Sequence, residues 1–197
     1  PVLAPSPRLP RRHLKRVVTG VHGLIRDAKG HYDDGYNVDE GQHLRPYKRL
    51  LVDVTASRAG LDKALAFAND LFNALESAGH RVLISSPAEN FTRARIDEHE
   101  QLHKSQRNDH SYYGNHLWWP QRPTVVYVGS VGFGLAVIEM SESVVLRYVH
   151  GKYIPESDYK PPKASARYVD HTWMTTKDIP CGRLRLIVYS PYRGVSW

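Results

Sequence analysis

His99-Glu100-Gln101-Leu102-His103 is the stretch whose residue types and spacing match a known catalytic arrangement. On a helix, histidines four residues apart share a face and can ligate one zinc ion, with the glutamate between them placed to deprotonate a metal-bound water. The surroundings argue against that chemistry. The longer metalloprotease pattern wants glycine at the third place after the second histidine and a further histidine three later, where this chain has Gln106 and Asp109. Asp109 remains a usable ligand, but a helix over Thr92–Lys104 offers only Ala94, Ile96 and Leu102 to anchor it, too little to hold a rigid site. The expected reading is an exposed charged helix with no metal and no cofactor, and a zinc-dependent hydrolase built on His99, Glu100 and His103 is the alternative.

Other catalytic patterns are weaker. No G-x-S-x-G elbow occurs, and Cys181 is the sole cysteine, set between Pro180 and Gly182 in an expected turn. An intrachain disulfide and a Cys-rich zinc site are both excluded. The glycines of Gly129–Gly134 fall between two strands and not before a helix, so they read as a hairpin and not as a phosphate cradle. Glu139 and Glu142 read as flanking a turn between two strands. Tyr112, Tyr113, Trp118 and Trp119, mixed with Arg107, His110 and Arg122, have the composition of a stacking surface for unpaired bases. Aromatics in such number more often pack over the end of a sheet, and that packing is the expectation here.

Charge carries more information than these motifs. The 197 residues have a net charge of +7, and the excess is segregated. Residues 1–30 hold seven Lys/Arg against Asp27 alone, residues 31–144 hold eleven against fifteen acids, and residues 145–197 hold nine against four. Cations gathered at both ends of an acidic middle favour a polyanionic partner. Nucleic acid, as double-stranded DNA, is preferred over a membrane because the basic stretches lack an apolar face suited to a bilayer interface. The expected phosphate contacts are Arg8, Arg11, Arg12, Lys15, Arg16, Arg183 and Arg185, positioning the backbone without reading bases. No apolar run reaches the roughly 18–20 residues of a membrane span, so a soluble, cytoplasmic protein is expected.

The elements that must position these groups follow from periodicity. Four prolines in the first ten residues read as a linker, residues 1–10, from a missing N-terminal domain, with residues 11–197 forming one domain. Leu14, Val17, Val18, Val21, Leu24 and Ile25 predict an amphipathic helix over Arg11–Lys29, with Gly20 and Gly23 as weak points. Residues 30–47 read as a surface loop and Arg49–Thr55 as a buried strand. Leu61, Ala64, Leu65, Ala68, Leu71, Phe72 and Leu75 predict a helix over Leu61–Ala78, capped by Ser57 and stopped by Gly79. His80–Ser85 is the next strand. A polar insertion over 86–123, read as a helix and an irregular loop, precedes a meander of Thr124–Gly129, Gly132–Glu139 and Ser143–Val149. The last strand, Arg183–Ser190, places Leu184, Leu186 and Val188 on one face and Arg183 and Arg185 on the other. The fold class expected is α+β: a mostly antiparallel sheet of about five strands with two helices packed on one face.

The order of LDKALAFANDLFNALESAGHRVLI, TVVYVGSVGFGLAVIEMSESVVLRYVHGKYI and DIPCGRLRLIVYSPYRGVSW resembles the C-terminal region of a group of uncharacterised bacterial proteins that carry an N-terminal helix-turn-helix segment. The resemblance implies an architecture and a setting, and assigns no catalytic residue. With the charge pattern it points to a non-enzymatic C-terminal module of a bacterial DNA-binding protein, a transcriptional regulator in the simplest case. Its expected part is dimerisation, as a homodimer, or sensing, with added phosphate contacts. A protein-interaction scaffold is the remaining alternative.

Overall fold

The computed structural model describes residues 20–39, 41–99, 117–161 and 172–194. Its architecture is α+β, with a six-stranded, mostly antiparallel sheet and two α-helices. One long strand, β6 (Val131–Val149), holds the others together. Leu135 pairs with both Thr124 and Val188, Val137 with both Val54 and Leu186, and Leu146 with both Pro155 and Thr175, so β6 has a neighbour on each edge along much of its length. Successively, β5 (Thr124–Val128), β3 (Val54–Thr55) and β7 (Lys152–Pro155) take one edge, and β8 (Met174–Tyr189) takes the other. β4 (Arg81–Ile84) lies outside β5, and β3 alone runs parallel to β6. A separate two-residue ladder joins β1 (Gly35–Tyr36) to β2 (Arg45–Pro46).

Local chemistry accounts for the turns. β5 and β6 meet through Gly129-Ser130, with Gly129 at φ +63°; β6 and β7 meet through His150 and Gly151, both at positive φ, as a two-residue I′ hairpin requires. α2 (Leu61–Ser77) buries Leu61, Ala64, Leu65, Ala68 and Phe72 and packs on β3, β4 and β6. Gly79 stops it at φ +90°, its N–H bonding to the Glu76 carbonyl while that of His80 reaches Leu75. The expected helix is therefore in place, with Gly60 as its N-cap. Ser57 acts just before it, accepting from the Gly60 N–H at 3.1 Å.

Several expectations need correction. The sheet has six strands where about five were expected. Of the helix expected over 11–29, the described portion is helical only at its last two residues: residues 20–27 are bends and turns, and α1 is only Ala28–Asp33. Gly20 sits at φ +102°, and α2 captures the segment through Asn69 to the His22 N–H and Asn73 to the Gly20 carbonyl. Residues 11–19 lie outside the described residues. The loop expected over 30–47 contains α1's end and the β1–β2 ladder. In the Arg49–Thr55 strand only Val54 and Thr55 pair, because the Val54 N–H turns back to the Val52 carbonyl and the Asp53 N–H goes to Thr124 Oγ1, although residues 51–57 are all buried.

The meander is also revised, since Gly132–Glu139 and Ser143–Val149 are one continuous strand. Between Glu139 and Ser141 the register shifts, and the two steps of β6 face four of β8, from Pro180 to Leu184. The alternation expected in β8 does not hold: Leu184 packs on the core, but Leu186 and Val188 are exposed, and Ile187 and Tyr189 are the more buried residues beyond it.

Within the expected insertion, Pro87–Glu89 is a single 3₁₀ turn and residues 91–99 are not helical. Arg93 explains the course of this stretch. Its guanidinium makes a two-pronged pair with Asp53, Nε to Oδ2 at 2.6 Å and Nη2 to Oδ1 at 3.0 Å, and the Asp53 side chain is fully buried. Burial pushes the Asp53 carboxyl upward, and the hydrogen bonds and charge of Arg93 draw it back. Removing one partner of such a pair leaves a desolvated charge, so Arg93→Ala should lose about 3–5 kcal/mol of unfolding free energy in urea titrations. A loss within about 0.5 kcal/mol, the scale of an ordinary surface substitution, would show that the pair is not holding the 91–99 segment down.

Candidate functional site

Two adjoining clefts open beside the β1–β2 ladder. They share Gln42, Arg45, Leu117 and Trp118 along a common rim. The first, about 450 Å³, is lined by His43, Glu98, Lys177 and Asp178 among others. The second, about 460 Å³, is lined by Tyr36, Tyr47, Arg49 and Trp119.

Behind His43 of the first cleft stands Glu139, which belongs to the interior of β6 and does not flank a turn. Its buried carboxylate accepts from the Ser57 N–H at 2.7 Å and the Gly182 N–H at 3.0 Å. Gly182, at φ +73°, lies in the extra residues of β8, and the bulge aims its N–H inward. A Cβ on Gly60 would stand 2.2 Å from Glu139 Oε2, so glycine is needed where the carboxylate meets the start of α2. The main-chain carbonyl of Glu139 accepts from His43 Nε2 at 2.9 Å. That fixes the imidazole and turns Nδ1 to Glu98 Oε2, also at 2.9 Å. Glu98 is tied in turn to β6, by Ser141 Oγ at 2.9 Å and by its carbonyl to the Ser141 N–H.

His99 lies beside this pair. Its Nδ1 is 2.8 Å from Asp97 Oδ1 and its Nε2 is 3.2 Å from Asp178 Oδ1 of β8. The Asp97 carboxylate also accepts the His99 N–H, a local turn that competes with helix formation and keeps the residue out of a helix. Burial disfavours the charged ring, but the hydrogen bonds and charges of Asp97 and Asp178 outweigh it and raise the His99 pKa above its usual value. Glu98, His99 and Asp178 place one ligand-type atom each within 4.8 Å of one another.

The second cleft is aromatic and basic. Tyr36 and Tyr47 meet edge to face at 4.4 Å between centroids, and both are exposed. Arg49 stands over the indole of Trp119 at 5.3 Å, and that indole is 44% exposed. Trp118, on the shared rim, is itself buried, packed edge to face on Tyr32 with Nε1 donating to the Pro46 carbonyl, so this one member of the aromatic cluster packs into the core. Its neighbour Trp119 takes the other role.

The sequence-derived candidates are distributed unevenly. Arg183 and Arg185 are on β8, where Arg183 pairs with Glu142 at 2.8 Å and Arg185 Nη1 lies 3.3 Å from the His99 carbonyl. Arg8, Arg11, Arg12, Lys15 and Arg16 lie outside the described residues, as do Glu100, His103, Asp109, Tyr112 and Tyr113. His99 is in the site, but with Asp97, Glu98 and Asp178 as its company. Sequence reasoning missed His43, Asp178, Tyr36, Tyr47 and Arg49, which come from separate segments with no common spacing. The run Asp97-Glu98-His99 was the available signal, obscured by reading the histidine forward into the H-E-x-x-H pattern.

No protein-family model matches this chain, and searches of curated proteins and of solved structures return no match either. Among the described residues no helix is long and apolar enough to cross a membrane.

The Glu139 arrangement is testable by stability. Glu139→Gln keeps the shape but turns one acceptor into a donor against a buried N–H, and should cost about 1–3 kcal/mol in denaturant unfolding. Gly60→Ala should also destabilise, and combining the two should cost less than their sum because both act on one carboxylate. Strict additivity would show that the two positions do not share it.

Proposed function

We propose that this chain is the nucleic-acid-binding module of a bacterial DNA-binding protein, with the aromatic and basic cleft as its contact for an unpaired base and the N-terminal cations as its phosphate contacts. One observation carries this reading: exposed Tyr36, Tyr47 and Trp119 line the same groove as Arg45 and Arg49. Flat rings beside guanidinium groups are the chemistry that stacks bases and meets the adjoining phosphate, with little regard to sequence. The segregated charge of the chain supports the same partner. Arg183 and Arg185 already engage Glu142 and the His99 carbonyl, so in this proposal they add less than the N-terminal cluster.

The test is fluorescence anisotropy of a labelled oligonucleotide, single-stranded and duplex, titrated with the whole chain at two salt concentrations. Trp119→Ala should weaken single-strand binding by about 1–3 kcal/mol, the usual worth of one stacked base, and leave the salt slope unchanged. Replacing Arg11, Arg12, Lys15 and Arg16 by alanine should flatten the slope, since each phosphate contact contributes close to one counterion. Absence of binding at low salt defeats the proposal, and so does binding indifferent to both sets of changes.

A further inference from the structure

We infer that Glu98, His99 and Asp178 form a binding site for a first-row divalent metal ion at the edge of the first cleft. This goes beyond the nucleic-acid reading and does not depend on it.

The donor set is mixed, one imidazole with two carboxylates, a combination that suits ions from manganese to zinc. Its atoms come from two elements held in fixed relation. Glu98 and His99 are on the segment that Arg93 ties down to Asp53, and Asp178 is in β8, paired directly to Ser143 of β6. Metal bonds of about 2.0–2.2 Å put ligand atoms on one ion roughly 3–4 Å apart. The three ligand atoms lie within 4.8 Å of one another, and His99 Nε2 and Asp178 Oδ1, at 3.2 Å, already have that spacing.

The surroundings have the organisation of a metal site. Metal-bound histidines present one ring nitrogen to the ion and the other to a carboxylate, which fixes the ring and makes it a better ligand. Asp97 stands in that position on His99 Nδ1, leaving Nε2 directed at Asp178. Glu98 is likewise steadied by His43 and by Ser141. The H-E-x-x-H pattern does not describe this site: His99 is common to both, but the second ligand here comes from the residue before it and the third from a strand 79 positions on.

Isothermal titration of the whole chain with Mn²⁺ and with Zn²⁺, after chelator treatment and dialysis, tests the assignment. One ion should bind per chain, with affinity at least about 10-fold lower in His99→Gln and in Asp178→Asn. Asp97→Asn, which leaves all three ligands in place, should weaken binding by about 10–100-fold while far-UV circular dichroism stays unchanged. His103→Ala should leave the affinity as it is. Failure of either metal to bind overturns the inference. So does binding lost in His103→Ala and retained in Asp178→Asn, which would give the ion to the H-E-x-x-H stretch. These readouts involve no oligonucleotide, so their failure is separate from a failure of the nucleic-acid reading.

Discussion

A carboxylate placed in the middle of a sheet must be met by hydrogen-bond donors, and meeting Glu139 fixes three parts of this molecule at once. The Ser57 N–H ties down the approach to α2, the Gly182 N–H demands the bulge in β8, and Gly60 must lack a side chain for the carboxylate to fit. An unsatisfied carboxylate at this depth would be far more costly than the two distorted backbone segments that satisfy it. The same residue's carbonyl then orients His43. The fold and the candidate site are thus joined at one position of β6.

Around that anchor the polar groups are arranged in a chain. His43 reaches Glu98, Glu98 reaches Ser141, His99 bridges Asp97 and Asp178, and Asp178 accepts from Ser143 Oγ at 2.5 Å. Two of these links, Glu98 to Ser141 and His99 to Asp178, join the irregular segment before residue 100 to the β6–β8 ribbon. The buried Arg93–Asp53 pair makes a further attachment of the same segment, this time to the β3 side of the sheet. A stretch with almost no regular secondary structure is therefore held by ionic and polar contacts where a helix would have used an apolar face.

The two clefts differ in chemistry across a shared rim. On one side acids and imidazoles converge; on the other, rings and guanidinium groups do. Arg45 lines both. Carboxylates this close to a groove proposed to receive phosphate would oppose it by charge, and a bound divalent cation would remove the opposition.

From the amino-acid order alone came the elements that local rules dictate. The apolar stripe of Leu61–Leu75 and the glycine at 79 defined α2, alternation and turn residues defined the β5–β6 hairpin, and the two periodicities together pointed to an α+β fold in a chain with charge gathered at its ends. Tertiary structure decided what depended on distant partners. It joined two expected strands into β6 because Glu139 and Ser141 find donors and acceptors in β8 and in residue 98, and it replaced a helix at 20–27 with turns because α2 offers Asn69 and Asn73 as better partners. The candidate site belongs to this second class. Its residues come from positions 36–49, 97–99, 119 and 178, and no spacing rule links them, since their proximity is created by strand register and by buried charges that are neutralised only once the chain has folded.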